Sequence, residues 1–474
     1  MAQLSAWTAV QKALVGCRNR FEAAARNPRE AQVRQLAEVL RRNRATTFGQ
    51  QYDFGSLTAE SEYQRRLPIH RYEDLSDFIA RMAAGEENLL TAGRPIAFER
   101  TGGSSGGAKL IPCTDESLSA IQRGIFVWLD DLLTARPGIM QGRTYWSISP
   151  AARQTESTAS GVPLGFPSDA AYFGPAIGGN LAELLAVPPS VGAIQELDQW
   201  RNATLEFLLA AKDLTLISVW SPTFLLELLR DVDAVRWPAL DTISCWTDSS
   251  SRPFACELAA RFPDVHMQGK GLLATEGVIT IPMEDCAHPV LAVESGFFEF
   301  LDDSGRVFLC DEVKTDQDYR VLITNHAGLY RYAIGDRVRV RGWFHGTPML
   351  EFLGRDGLAS DLCGEKLTDA FVAQAFAGVK GFAMLAPQSG SHPHYRVYLD
   401  SALHSAESGV AIAAETDMWL RRNPQYRYAR DLGQLGPVEP ALLNQPLQRF
   451  YERAGTAGKR LGDIKVPALC LDFQ

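Results

Sequence analysis

At 474 residues the chain exceeds the size at which one hydrophobic core usually stops growing, so two domains are expected, one of them large. A composition of 46% hydrophobic and 22% charged residues is that of a soluble globular protein. A net charge of −9 and a pI of about 5.5 argue against a broad nucleic-acid or anionic-membrane surface and leave room only for a local basic pocket. The eight cysteines include no CxxC pair and read as buried or free thiols in a reducing compartment. His392 and His394 suit a strand face or a loop and lack the partners a metal site needs. No signal-peptide core and no run of about 18 apolar residues occurs. The expectation is a cytoplasmic protein without nucleic-acid or membrane partners; its oligomeric state stays open, with a monomer compatible.

In chain order, Leu4, Trp7, Val10, Leu14 and Phe21 recur at helical spacings, and a second periodic stretch covers Arg29 to Leu40. From about residue 94, strand-like runs (Thr144–Ile148, Leu214–Val219, Thr242–Trp246, Val265–Gln268) alternate with helix-like runs (Trp200–Ala211, Thr223–Leu229, Phe254–Phe262). That alternation predicts parallel sheets covered by helices. Residues 289–354 read as nearly all β, a barrel or distorted antiparallel sheet with a turn at Asp302–Gly305. After Gly354–Leu358, taken as the domain boundary, the texture is mixed α/β again, and Ile464–Phe473 reads as a closing strand. The expected domains are 1–353 and 354–474.

The most informative stretch is Thr101-Gly102-Gly103-Ser104-Ser105-Gly106-Gly107-Ala108-Lys109. Glycines allow close backbone approach, so amide N–H groups and hydroxyls can wrap phosphate oxygens while the lysine adds charge. It is not a Walker A loop, because Ala108 stands where the lysine belongs and Leu110 where Ser or Thr belongs. The glycine offsets do not suit a dinucleotide fingerprint either. Taken alone, the alternative reading is a flexible surface loop. Three further segments matter through their order along the chain. Taken alone, Thr275-Glu276 reads as an acidic residue ending a strand or capping a helix, Gly335-Asp336 as a β-turn with Gly-Asp at its tip, and Gly354-Arg355-Asp356 as a surface turn.

Together these resemble, in order, the phosphate loop, the magnesium and α-phosphate segment, the ribose segment and the hinge of the adenylate-forming superfamily, which includes acyl-CoA synthetases and firefly luciferase. Within it, four features resemble the Gretchen Hagen family of acyl-acid amido synthetases: Lys109-Leu110-Ile111-Pro112, Tyr330-Arg331-Tyr332 ahead of Gly335-Asp336, Gly364-Glu365-Lys366-Leu367, and the terminal Lys465-Val466-Pro467. Gln64–Pro68 and Tyr72-Glu73-Asp74 resemble that family's opening segment. The departures are Ala108, Leu272 and Gly357, where the superfamily has a proline, an aromatic residue and a larger side chain.

The resemblance implies an α/β adenylate-forming fold with a large N-terminal domain carrying a barrel-like part and a small mobile C-terminal domain. It implies an enzyme that uses ATP and magnesium to adenylate a small carboxylic acid and passes the acyl group to an amine, typically of an amino acid. By the same resemblance Ser104, Ser105, Gly106 and Lys109 meet the phosphates, Thr275 and Glu276 the α-phosphate and metal, and Asp336 and Arg355 the nucleotide. Lys465 is the candidate C-terminal catalytic lysine. The helix Leu118–Leu133 and the stretch Pro163–Phe173 would line the acid pocket. An acyl-CoA ligase, a degenerate nucleotide-binding protein and a luciferase-type oxidoreductase stay open as alternatives.

Overall fold

The computed structural model describes residues 2–100, 109–146, 156–166, 172–194, 196–232, 237–355, 359–390, 392–456 and 464–473. The chain divides into two compact units. One comprises Met1–Ile217, Arg236–Asp241 and Lys270–Phe352; the other comprises Ser218–Val235, Thr242–Gly269 and Leu353–Gln474.

In the first unit, the two periodic stretches of the N-terminus become three helices, Ala2–Leu14, Cys17–Arg26 and Pro28–Asn43. Gly16, at φ +81°, ends the first, and Pro28 sits at the start of the third, where its missing N–H costs nothing. Trp7, Val10, Leu14 and Phe21 are buried, as their spacing requires. They join one core with the apolar faces of the helix Asp115–Ala135 and of a large sheet. This sheet is the β-rich region. Its strand order is Val307–Phe308, Phe297–Leu301, Asp318–Thr324, Tyr332–Phe344, Thr347–Arg355, Val290–Leu291, Thr280–Ile281. Phe297–Leu301 pairs antiparallel with both Val307–Phe308 and Asp318–Thr324, and Tyr332–Phe344 also runs antiparallel to Asp318–Thr324.

One irregularity in that sheet positions a candidate site residue. Arg320 faces Arg337 and Leu322 faces Ala333, so residues 334–336 oppose the single residue Val321. Such a bulge re-aims a side chain. Gly335 occupies it at φ +84°, and Asp336 comes next at 2% exposure.

In the second unit, Thr242–Cys245 and His266–Gly269 pair in parallel, with the helix Arg252–Arg261 between them in sequence. A second sheet pairs Ala383–Gln388 antiparallel with His394–Asp400, and His394–Asp400 in parallel with Glu439–Leu443. Helices Ala406–Leu420 and Pro424–Asp431 lie on the crossover. The segments from 218–235 and from the C-terminal stretch share hydrogen bonds. Ser221 Oγ lies 2.6 Å from Thr223 Oγ1, which lies 2.5 Å from the Tyr451 hydroxyl.

The closing segment is not the expected strand. Within 464–473 the chain makes one parallel bridge, Leu385 to Leu469, with Leu385 N–H donating to Ala468 O and Cys470 N–H donating to Leu385 O. Pro467 has no N–H to give a ladder, although Ile464, Val466, Ala468 and Leu469 are buried.

Candidate active site

The glycine-rich stretch is the connection of a hairpin. Ala97–Arg100 pairs antiparallel with Leu110–Cys113, ending at Arg100 opposite Leu110. Thr101–Ala108, with the candidates Ser104, Ser105 and Gly106, lie outside the described residues. Lys109 stands at the foot of the loop. Its Nζ is 3.9 Å from a Glu73 carboxylate oxygen and 5.2 Å from the centre of the Tyr72 ring, and the Leu110 N–H donates to the Tyr72 hydroxyl at 3.0 Å. Glu73 is largely exposed, so this pair is weak and leaves the ammonium available to another anion. The Tyr72-Glu73-Asp74 segment thus braces the hairpin from the first turn of the helix Tyr72–Ala83.

Thr275 and Glu276 form the two-residue tip of a second hairpin, in which Leu273 faces Val278 and Ala274 faces Gly277. This hairpin lies close over the helix Asp115–Ala135. A Cβ on Gly124 would sit 2.8 Å from Val278 Cγ1, so only glycine lets the two elements approach so closely. Glu276 is 6% exposed, and its carbonyl accepts from Asn325 Nδ2 at 2.6 Å. Asn325 Oδ1 in turn accepts from the Ala327 and Leu329 N–H groups, at 2.9 and 3.3 Å. One asparagine therefore ties the Glu276 tip to the turn that leads into Tyr330–Asp336.

That lead-in is held by a buried ion pair. Arg331, at φ +46°, donates through Nε to Glu299 Oε2 at 3.0 Å, and its Nη2 is 3.0 Å from Glu299 Oε1. Its Nη1 donates to the carbonyls of Gln64 and Leu67, at 2.8 and 2.7 Å. Both side chains are buried, and Gln64 Nε2 completes the cluster on Glu299 Oε1. The opening segment Gln64–Pro68 and the Tyr-Arg-Tyr segment, far apart in sequence, are one structural knot. Asp336 emerges from the bulge four residues beyond Tyr332.

Thr275, Glu276, Gly277, Asn325 and Ala327 share a cleft with residues of the first hairpin and of the helix Asp115–Ala135. The wall includes Glu99, Ile111, Cys113, Ser117, Ile121 and Tyr172. Burial pushes the Cys113 thiol up to about 11, which keeps it neutral. Ile121 and Tyr172 belong to the two stretches expected to line an acid pocket; Trp128, of the same helix as Ile121, packs edge-on to Trp146 with ring centres 5.7 Å apart. Glu99 and Asn325 are wall residues that no sequence motif marks. Glu99 stands two residues before the loop, where strand alternation could have pointed to it.

Models of the GH3 family match its N-terminal domain to residues 17–236, its central domain to 289–355 and its C-terminal domain to 365–473. The chain belongs to the GH3 family. Among relatives, an indole-3-acetic acid-amido synthetase of Arabidopsis thaliana is 22% identical, over 94% of this chain and 90% of its own. A jasmonoyl-L-amino acid synthetase of Oryza sativa subsp. japonica is 21% identical, over 95% and 93%. A solved GH3.15 acyl acid amido synthetase in complex with 2,4-DB superposes with a TM-score of 0.85 at 18% identity, covering 98% of this chain and 94% of that one. A 2-hydroxyisobutyryl-CoA ligase in the postadenylation state gives 0.60 at 12% identity, covering 94% and 89%. The fold is that of the adenylate-forming enzymes.

The GH3 signature Gly364-Glu365-Lys366-Leu367 lies in the second unit, and its glutamate is an anchor. Glu365 is fully buried and accepts from the Leu362 and Cys363 N–H groups, both at 2.7 Å, and from the Tyr395 hydroxyl. Burial and Glu365 both push the Tyr395 hydroxyl up, which keeps it a donor. Arg355, at the end of its strand, is exposed. Lys465 is also exposed; its Nζ lies 4.6 Å from the centre of the Trp246 ring, and its charge partly offsets the upward push of burial on Asp369. Among the described residues no helix is long and apolar enough to cross a membrane.

Proposed function

We propose that the chain is an acyl-acid amido synthetase. It activates a carboxylic acid with ATP and transfers the acyl group to an amine, most simply the α-amine of an amino acid. The observation that carries this is the cleft where Thr275 and Glu276 meet the hairpin that bears the Thr101–Lys109 loop, in a chain that carries the three GH3 domains in series.

In the first half-reaction an oxygen of the acid attacks the α-phosphorus, the bond to the bridging oxygen breaks, and pyrophosphate leaves. Lys109 and the loop neutralise charge on the leaving phosphates, and Asp336 accepts from the ribose hydroxyls. In the second, the amine nitrogen attacks the activated carbonyl, the bond to AMP breaks, and the nitrogen loses a proton. Holding both partners together removes much of the entropic cost.

The residues fit magnesium as a hard cation bound through few protein oxygens. Glu276 offers one buried carboxylate, and Thr275 precedes it in the chain at the same hairpin tip. Magnesium is commonly held by one or two carboxylates with substrate phosphates and water completing its shell. When bound, the ion supplies charge neutralisation at the phosphates.

The test is product analysis by mass spectrometry after incubation with ATP, magnesium, a panel of acids and either mixed amino acids or coenzyme A. An acyl-amino acid with matching AMP supports the proposal; a thioester and no amide replaces it with a CoA ligase.

A further inference from the structure

We infer that Glu99 selects an acyl acid whose body carries a hydrogen-bond donor, a hydroxyl or amino group, away from the reacting carboxylate. This rests on the ligase reading of the same cleft. Glu99 belongs to the hairpin Ala97–Arg100/Leu110–Cys113, directly opposite Ile111, and both line the cleft. Two donors reach it among the described residues: the Tyr172 hydroxyl at 2.9 Å and the Phe166 N–H at 3.2 Å. Both meet the same oxygen, Oε1. A carboxylate accepts through two oxygens and about four lone pairs. The contacts therefore fix the side chain's orientation, and among the described residues no donor reaches Oε2.

Two other polar groups of the wall, Ser117 and Asn325, are differently engaged. Ser117 Oγ accepts from the Thr114 N–H at 2.8 Å and donates to the Thr114 carbonyl at 3.0 Å, closing a helix cap. Asn325 uses its oxygen on two N–H groups and its amide on the Glu276 carbonyl. Most of the rest is apolar: Ile111, Pro112, Ala120, Ile121 and Ala327, with the neutral Cys113 thiol. Glu276 is assigned to the α-phosphate and its metal, so among the described lining residues Glu99 is the one carboxylate left for the substrate's body. A wholly apolar acid would strip water from Glu99 and return nothing. An acid with a donor replaces that water. Burying an unpaired polar group is the situation in which binding sites discriminate most strongly.

The experiment is ATP–pyrophosphate exchange on the full chain with matched acids: benzoate against 3- and 4-hydroxybenzoate and 4-aminobenzoate, and hexanoate against 6-hydroxyhexanoate. Wild type should favour at least one donor-bearing member over its unsubstituted partner by ~10-fold or more in kcat/KM. Glu99→Leu should reverse that order by raising the rate with the unsubstituted acid and lowering it with the donor-bearing one. Glu99→Gln, which conserves size and the Tyr172 bond, should shrink the preference without reversing it. Exchange by wild type that favours the unsubstituted acids, or a preference that neither variant alters, overturns the assignment of Glu99 and leaves the ligase reading intact. Exchange with no acid of any kind overturns both.

Discussion

Replacing Arg331 with methionine should destabilise the first unit more than almost any other single change of charge. The arginine is 5% exposed and Glu299 1%. Methionine keeps much of the volume but leaves the Glu299 carboxylate buried with Gln64 as its remaining described donor, and strips the Gln64 and Leu67 carbonyls of Nη1. The left-handed backbone at φ +46° costs methionine and arginine alike, so it drops out of the comparison. Breaking a buried ion pair from one side costs about 3–5 kcal/mol. With a urea slope of about 3 kcal/mol per molar, the unfolding midpoint should fall by about 1–2 M. Circular dichroism in a urea titration measures this. The double variant Arg331→Met, Glu299→Leu removes both charges and should recover most of the loss, because an apolar pair of similar volume is often as stable as the ions. Since Arg331 anchors the lead-in to the Asp336 bulge, the KM for ATP should rise in the single variant and fall back in the double. An Arg331→Met midpoint equal to that of wild type would refute the buried-pair account.

The geometry sets four further outcomes. Asp336→Asn keeps the shape of the bulge but weakens the ribose acceptor; at about 1.5–3 kcal/mol for hydrogen bonds to a charged group, the KM for ATP should rise roughly 10- to 100-fold, and an unchanged value would remove Asp336 from the ribose site. Glu276→Gln should lower pyrophosphate exchange by at least ~100-fold at ordinary magnesium, with partial recovery at high magnesium; wild-type rates would take Glu276 out of the metal site. Gly124→Ala drives a methyl into Val278 and should cost about 1–3 kcal/mol while displacing the Thr275-Glu276 tip, seen as a kcat loss in folded protein; full activity would show that the hairpin has room to spare. Asp131 is fully buried, and burial raises its carboxyl from 3.8 to about 6 despite Arg18 at 3.0 Å. The native state thus holds this proton more tightly than the unfolded chain, so its contribution is complete below about pH 4 and is lost as pH rises through about 6. Asp131→Asn should flatten urea midpoints over that window relative to wild type, and parallel curves would contradict it.

Much of this was legible in the sequence because it is local. The helical periods of Trp7, Val10, Leu14 and Phe21 and the β texture of 289–354 reflect side-chain alternation, which a chain displays wherever one face is buried. The Thr275-Glu276 and Gly335-Asp336 pairs could be found because they sit in short contiguous motifs that resemble those of the adenylate-forming superfamily and fall in the same order. What escaped was long-range. Nothing near Ser218–Val235 announces that it packs in one unit with residues 353–474, since Thr223 meets Tyr451 across more than two hundred positions. The knot of Arg331, Glu299 and Gln64 is invisible for the same reason. The closing Ile464–Phe473 misled because burial alone gives a strand-like apolar run, while Pro467 withholds the hydrogen bond a ladder needs. Glu99 carries no mark in the sequence because a single glutamate in a strand usually faces water; only the fold brings Tyr172, seventy-three positions on, to bond it.

The most direct test of the central claim is exchange of labelled pyrophosphate into ATP, dependent on an added carboxylic acid, with magnesium present and both amino acid and coenzyme A absent. An acid-adenylating enzyme should show acid-dependent exchange in wild type that is lost in Glu276→Gln and weakened in Asp336→Asn at limiting ATP. Exchange that needs no acid, or none with any acid from a broad aryl and aliphatic panel, would contradict it.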